Sequence, residues 1–413
     1  MLLLLASLST VMMAQEVTVD AAKGRALDFL SKQSIGPKHA KGTLSSTDLS
    51  LSYTSSSEGK TCFYVFNIGE DNGFVIAGGD EAAQQILGYS SQGSFDYDTA
   101  PDNLRWWLSQ YTEQIAHAEA PSQEALAATS AYRAKAAQTR QNISPIMETT
   151  WDQLEPYNCM IPNNGTPYAT GCVATAIAQV MKRWNYPEHG IGSYAYGSFS
   201  ADFGNTTYQW GTMKSSYAKN DPAEDVGTLM YHAGVALKMH YGTSESGAGS
   251  FSIGPVLAKY FGYDKSVRYE SREFFTDEGW EELIYNELSA GRPVPYAGFK
   301  AGSSSGHAFV CDGYQASTNM YHINWGWGGV YNNYFTLRGD KTLVPSGLGT
   351  DGYKYGQEII VNIRYPLDYR GSLSRLQATA RLRQMSERTL LCTDCQLHAD
   401  HDAVQHILHG ETV

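Results

Sequence analysis

The residues of this 413-residue chain best suited to chemistry are a cysteine, a histidine and an asparagine far apart in sequence. Cys172 follows Gly171 and opens the run Cys172-Val173-Ala174-Thr175-Ala176-Ile177-Ala178-Gln179-Val180-Met181, whose small apolar character predicts a helix. A thiol at a helix N-terminus faces unsatisfied N–H groups and the positive end of the dipole, which favours the thiolate. A thiolate nucleophile needs a proton-carrying partner. Gly306-His307-Ala308-Phe309-Val310 sets an imidazole at the start of an apolar strand. In Tyr321-His322-Ile323-Asn324-Trp325-Gly326-Trp327-Gly328-Gly329 a second strand ends on an amide that can accept from the imidazole N–H. Trp325 and Trp327 would cover that bond. Taken singly, the three segments have plainer readings: a structural cysteine, a packed or solvated histidine, a tight aromatic turn. His240 and His322 lack such a setting.

The elements that must position these groups are readable in outline. Residues 15 to about 120 read as a small α+β unit. It has a helix over 21–30, a strand over 62–68, a hairpin partner over 73–80, and a Trp-rich helix introduced by Pro101-Asp102. The segment 119–140, rich in Ala, Ser, Gln and Thr, lacks a docking face and reads as an exposed linker open to proteolysis. Residues 143 to about 365 begin with helical patterns, at 172–184, 226–239 and 280–288. They end in strands, at 294–299, 307–314, 320–325, 334–337 and 358–363. Helices first and strands later make an α+β fold with two segregated lobes, one helical and one an antiparallel sheet. Residues 366–413 read as an irregular tail.

The chain order is Cys, His, Asn, the last two falling 135 and 152 residues after Cys172. Papain-type peptidases use that order and reach, although the Cys-Gly-(Ser/Ala)-Cys-Trp signature of papain itself is absent. The sequence closely resembles the streptopain family of secreted bacterial cysteine peptidases, a branch of the papain superfamily. The resemblance rests on the three motifs around Cys172, His307 and Asn324, on Asn185-Tyr186-Pro187, and on the Gly-rich loop 241–250. It extends to Gly73-Phe74-Val75-Ile76, Ile86-Leu87-Gly88-Tyr89-Ser90 and Gly93-Ser94-Phe95-Asp96, which look like the family's inhibitory propeptide.

The resemblance implies a zymogen: a papain-like two-lobe catalytic domain at 141–365, preceded by a propeptide and linker at 15–140. Cys172 would be the nucleophile and His307 its general base and acid. Gln153 and the Cys172 N–H would form the oxyanion hole, and Gly247 and Gly306 would line the substrate groove. At the position of Gly247 the family commonly has Ser, and either Asn324 or Trp325 would support the imidazole. The partners implied are protein and peptide substrates and the chain's own propeptide, removed by self-cleavage between about Ala127 and Ile143. No metal and no other cofactor is called for. The rival from another class is a catalytically silent papain-like binding or inhibitor module.

Composition narrows the field further. A net charge of −12 argues against a nucleic-acid surface, which would need clustered Lys and Arg. No internal apolar run is long enough to span a bilayer. The apolar stretch over residues 1–14 reads as an export signal, with a buried N-terminal helix as the other reading. Six cysteines, sparse and mostly far apart, do not form a dense disulfide framework. Two decoys remain. Gly302-Ser303-Ser304-Ser305-Gly306 matches the serine-hydrolase elbow, but a strand follows where a helix is required. Cys392-Thr393-Asp394-Cys395 with His398 and His401 has zinc-type ligands, at intervals too short for a standard finger.

Overall fold

The computed structural model describes residues 16–33, 44–118, 134–243, 245–299, 306–338 and 356–366, with positions 127 and 131 besides. The export-signal reading, the Ser303–Ser305 decoy and the Cys392/Cys395 pair fall outside the described residues.

The N-terminal part begins with helix α1 (Val19–Gln33), which buries Ala22, Ala26 and Leu30, one side chain per turn along a single face. Four antiparallel strands follow: β1 (Leu49–Ser57), β2 (Lys60–Ile68), β3 (Phe74–Gly78) and β4 (Ile86–Ser90). Helix α2 (Asp102–His117) packs on the other face. Strand side chains alternate between faces. Tyr64, Phe66 and Val75 therefore join the cluster under α1, while Phe63, Val65, Phe74 and Ile76 join the cluster under α2. That two-sided burial explains why β2 and β3 read as continuous apolar runs rather than alternating ones.

The C-terminal part opens with α3 (Cys172–Trp184), the hairpin β5 (Ser193–Tyr196) and β6 (Phe199–Asp202), then α4 (Glu224–Ala236) and α5 (Ile253–Phe261). Strand β7 (Arg268–Ser271), helix α6 (Asp277–Ser289) and strands β8 (Val294–Phe299), β9 (Gly306–Gln315), β10 (Met320–Asn324), β11 (Asn333–Phe335) and β12 (Gln357–Val361) complete it. Helices thus precede the main strands, as the sequence pattern predicts.

The sheets of the two parts are continuous. Ten strands run in the order β1-β2-β3-β4-β11-β10-β9-β8-β12-β7. At the seam Tyr89 faces Tyr334 and Gly88 faces Phe335, and the Thr336 N–H donates to Leu87 O at 2.8 Å. Helix α2 closes the same seam from one face. Its Leu104, Trp107 and Tyr111 share a core with Tyr296, Phe309, Trp325 and Phe335. Trp107 meets Tyr296 and Phe309 edge-on, at centroid distances of 5.5 and 5.6 Å. Among the described residues no helix is long and apolar enough to cross a membrane.

The end of the expected linker behaves differently from an exposed tether. Residues 134–139 are helical, and the Arg140 guanidinium lies over the rings of Tyr285 and Tyr314, at 4.9 and 5.8 Å. Ile143 then exchanges backbone hydrogen bonds of 2.8 Å in both directions with Tyr314 on β9. The cation–π contacts bury a side chain whose charge alone suggests exposure.

Trp107 is 1% exposed and ties the two parts together. Its truncation to Ala should therefore cost the folded chain about 3–5 kcal/mol, read as a lower midpoint in urea unfolding.

Candidate active site

Helix α3 begins at Cys172 because the residue before it takes a backbone conformation open to glycine. Gly171 has φ +87, and a Cβ there would stand 2.7 Å from the Met239 sulfur and 2.9 Å from the Ser246 carbonyl oxygen. Every position from Val173 to Met181 is buried. Ala174, Ala176 and Ala178 keep the helix slim enough for close packing, and it lies against β9. Thr170 steadies the approach: its N–H donates to Gln153 O at 2.9 Å and its hydroxyl meets that of Thr175 at 2.8 Å.

The thiol of Cys172 is half-buried by accessible surface. Burial pushes its pKa up, and the carboxylate of Glu245 pushes the same way. The backbone N–H groups of Ala308, Val173 and Cys172 itself act in the opposite direction. Ala308 directly follows His307, so the sulfur sits beside the strand end that carries the imidazole. Burial holds the His307 ring below its usual pKa. Asp102 and Glu245 pull it upward, and Arg105 pushes it down with burial. Glu245 thus acts on both groups. The helix-terminal setting favours a thiolate, yet in this covered state desolvation outweighs the N–H groups and the pair is held toward its neutral form.

Part of the cover comes from α2. Gly298 on β8 lies opposite His307 on β9, and a Cβ on Gly298 would collide with the Trp106 indole and crowd Gly356 O. The missing side chain is what lets Trp106 lie there. Asn103, wholly buried, donates its amide N–H to the Trp325 carbonyl. Asp102 and Arg105 form an ion pair on the same helix.

The remaining candidates fall as follows. Gln153 is 8% exposed in the loop whose backbone meets Thr170, next to the start of α3. Asn324, at the end of β10, is buried, but its amide serves other partners. Its Nδ2 donates to Thr149 O at 2.8 Å and to Gln179 Oε1 at 3.3 Å, while its Oδ1 accepts from the Gly326 N–H at 3.1 Å and Gln179 Nε2 at 3.4 Å. With that oxygen taken, Asn324 fixes the turn rather than accepting from the imidazole in this structure. Trp325 is wholly buried against Phe309 at 4.9 Å, its indole N–H on Tyr331 O at 3.1 Å. Gly247 exchanges backbone hydrogen bonds with His240 and has open space where a side chain would be. Gly306 opens β9 opposite Phe299.

Sequence reasoning assigned no role to Asn103, Trp106 or Gln179. The signal for Gln179 was an amide on a helix with no polar face. For Asn103 and Trp106 nothing local points to the cleft.

Comparison with known proteins decides the lineage. The Peptidase C10 family matches residues 151–335, and the Spi protease inhibitor family matches residues 14–115. Streptopain of Streptococcus pyogenes is 35% identical over 334 residues, covering 73% of this chain and 80% of streptopain. The chain belongs to the streptopain family. It is a cysteine peptidase zymogen, with the inhibitor-like propeptide ahead of the catalytic domain. The thiol protease/hemagglutinin PrtT of Porphyromonas gingivalis is 34% identical over 382 residues, and the chain spans 42% of that protein's length. A fragment of prointerpain A from Prevotella intermedia has a similar structure, with TM-score 0.61 and 32% identity over 77% of this chain and 99% of that one.

A raised thiol pKa in this zymogen means that thiolate forms only above the ordinary value of 9.0. In the intact precursor, Cys172 should react slowly with iodoacetamide at neutral pH and faster as pH rises past that value, followed by mass spectrometry at short times. A rate already on its plateau at pH 7 would show a preformed thiolate instead.

Proposed function

We propose that this streptopain-family zymogen matures into a secreted endopeptidase in which Cys172 is the nucleophile and His307 the proton carrier. The observation carrying the reading is the thiol at the head of a buried helix, beside the strand that carries His307 near its start. In the mature enzyme the proton resides on His307 and the sulfur is anionic. The sulfur adds to the peptide carbonyl, whose oxygen takes up the negative charge. Collapse breaks the C–N bond, the imidazolium gives its proton to the departing amine, and an acyl-thioester remains. His307 then takes a proton from water, the resulting hydroxide adds to the thioester, and collapse releases acid and thiolate.

The oxyanion would be held by the Cys172 N–H and the Gln153 side-chain amide. A donor of that kind contributes about 3 kcal/mol in comparable sites. The buried position of Gln153, with its backbone tied to Thr170, supports this role. Gly306 and Gly247 would border the groove, where the open space at Gly247 leaves substrate contact to the backbone. Asn324 and Trp325 would act through packing and turn geometry, shielding the strand end from water.

The propeptide would keep this machinery latent by placing α2 over the β8–β9 strand ends, as the contacts of Trp106 and Asn103 support. Residues 1–14 would direct export and be removed. Cleavage within the linker, between about Ala127 and Ile143 and by the enzyme itself, would then release the inhibited state. The substrates would be proteins and peptides, and a reductant would keep Cys172 active.

Cys172→Ala is expected to abolish both casein hydrolysis and self-processing, leaving a full-length precursor stable under reducing conditions. Self-processing at the wild-type rate in that variant would take Cys172 out of the mechanism.

A further inference from the structure

Gln179 lies seven residues along α3 from Cys172, two turns and so on roughly the same face. It is wholly buried on a helix whose other buried side chains are apolar or small. Its Oε1 accepts from the Thr149 hydroxyl at 2.9 Å, the Trp151 N–H at 3.2 Å and Asn324 Nδ2 at 3.3 Å. Its Nε2 donates to Asn324 Oδ1 at 3.4 Å. Asn324 in turn grips Thr149 O and the Gly326 N–H, and the Gly328 N–H reaches Trp151 O at 3.2 Å. One buried pair of amides therefore joins three segments: the helix that begins at Cys172, the loop leading into Gln153, and the turn after β10.

We propose that Gln179, paired with Asn324, is a positioning residue that sets where the Gln153 amide stands relative to Cys172. The inference rests on the reading of Gln153 as oxyanion donor. The Gln153 loop is irregular and has no ladder to fix it. Two residues before Gln153, the Trp151 N–H is held by Gln179; two residues before Cys172, the Thr170 N–H is held by Gln153 O. The loop is thus pinned at both ends to α3 and its cap. An oxyanion donor works only if it is already aimed where charge will develop, and a displacement near 1 Å costs about a hundredfold. A buried carbonyl taking three donors is a costly arrangement to leave half-satisfied, so the loop has one favoured place.

The test separates aiming from mere stability. Gln179→Met keeps the volume and removes the hydrogen bonds. In self-processed enzyme, with active sites counted by an epoxide thiol trap, kcat should fall about 30-fold with KM unchanged. Alkylation of Cys172 by iodoacetamide, which develops no oxyanion, should stay within about twofold. Gln153→Ala should lower kcat comparably, and the double variant should be little worse than Gln153→Ala alone, because the two changes remove one function. Gln179→Glu keeps the acceptor for Thr149 and Trp151 and should retain kcat within about threefold; it also serves if the Met variant does not fold.

Equal losses of hydrolysis and alkylation, an unchanged kcat in Gln179→Met, an additive double variant, or a Glu variant as weak as Met would each overturn the proposal. A full kcat in Gln153→Ala would instead remove the oxyanion reading beneath it.

Discussion

The structure turns on the cost of charge at one buried spot. Catalysis by a thiol and an imidazole needs an ion pair, yet burial raises the pKa of Cys172 and lowers that of His307. Both shifts favour the neutral forms. The N–H groups at the head of α3 and from Ala308 oppose this for the sulfur, and the carboxylates of Asp102 and Glu245 oppose it for the ring. Desolvation is the larger effect in each case. Burial alone therefore holds both groups toward their neutral forms in this state. Helix α2 supplies part of it, with Trp106 over Gly298 and Asn103 bonded to the Trp325 carbonyl.

The fold makes that cover continuous with the machinery beneath it. Trp325 packs on Phe309 of the histidine strand and approaches Trp107 of α2, with centroids 6.4 Å apart. Residues of the strand that carries the candidate base thus form one core with residues of the propeptide. Burial of this kind, worth about 25 cal/mol per Å² of apolar surface, outweighs single polar contacts. The Asn103 bond to the Trp325 carbonyl and the Tyr111 hydroxyl, which donates to Thr336 O at 2.6 Å, instead fix the register of the helix on the sheet.

Much of this was legible because the signals were local. Gly171 before Cys172 marks a helix start, Gly- and Asn-rich turns separate the strands from 294 onward, and Trp-Gly-Trp-Gly-Gly marks a turn. What escaped were features decided by distant partners. Strand β1 is Ser- and Thr-rich and half exposed, so its pattern alone carries little signal. Helix α5 contains Gly254 and Pro255, which suggest a turn, yet Pro255 sits in the first helical turn where its missing N–H costs nothing. Arg140 was assigned to an exposed linker because nothing nearby announces Tyr285 and Tyr314. Asn324 was matched to His307 through strand order, whereas its amide is satisfied by Gln179 and Thr149 from other segments.

The seam between the two parts defines what a linker cut changes. The β4–β11 pairing, the Thr336–Leu87 hydrogen bond and the shared core of Trp107, Tyr111, Phe309 and Trp325 all lie outside the linker. Cleavage breaks none of them. It converts an intramolecular partner into a separable one, whose hold then depends on concentration rather than on a tether. Ile143 and Ile146 bond to Tyr314 and Asp312 of β9, on the catalytic side of the proposed cut. In the proposed maturation, the Trp106 cover over Gly298 leaves with α2.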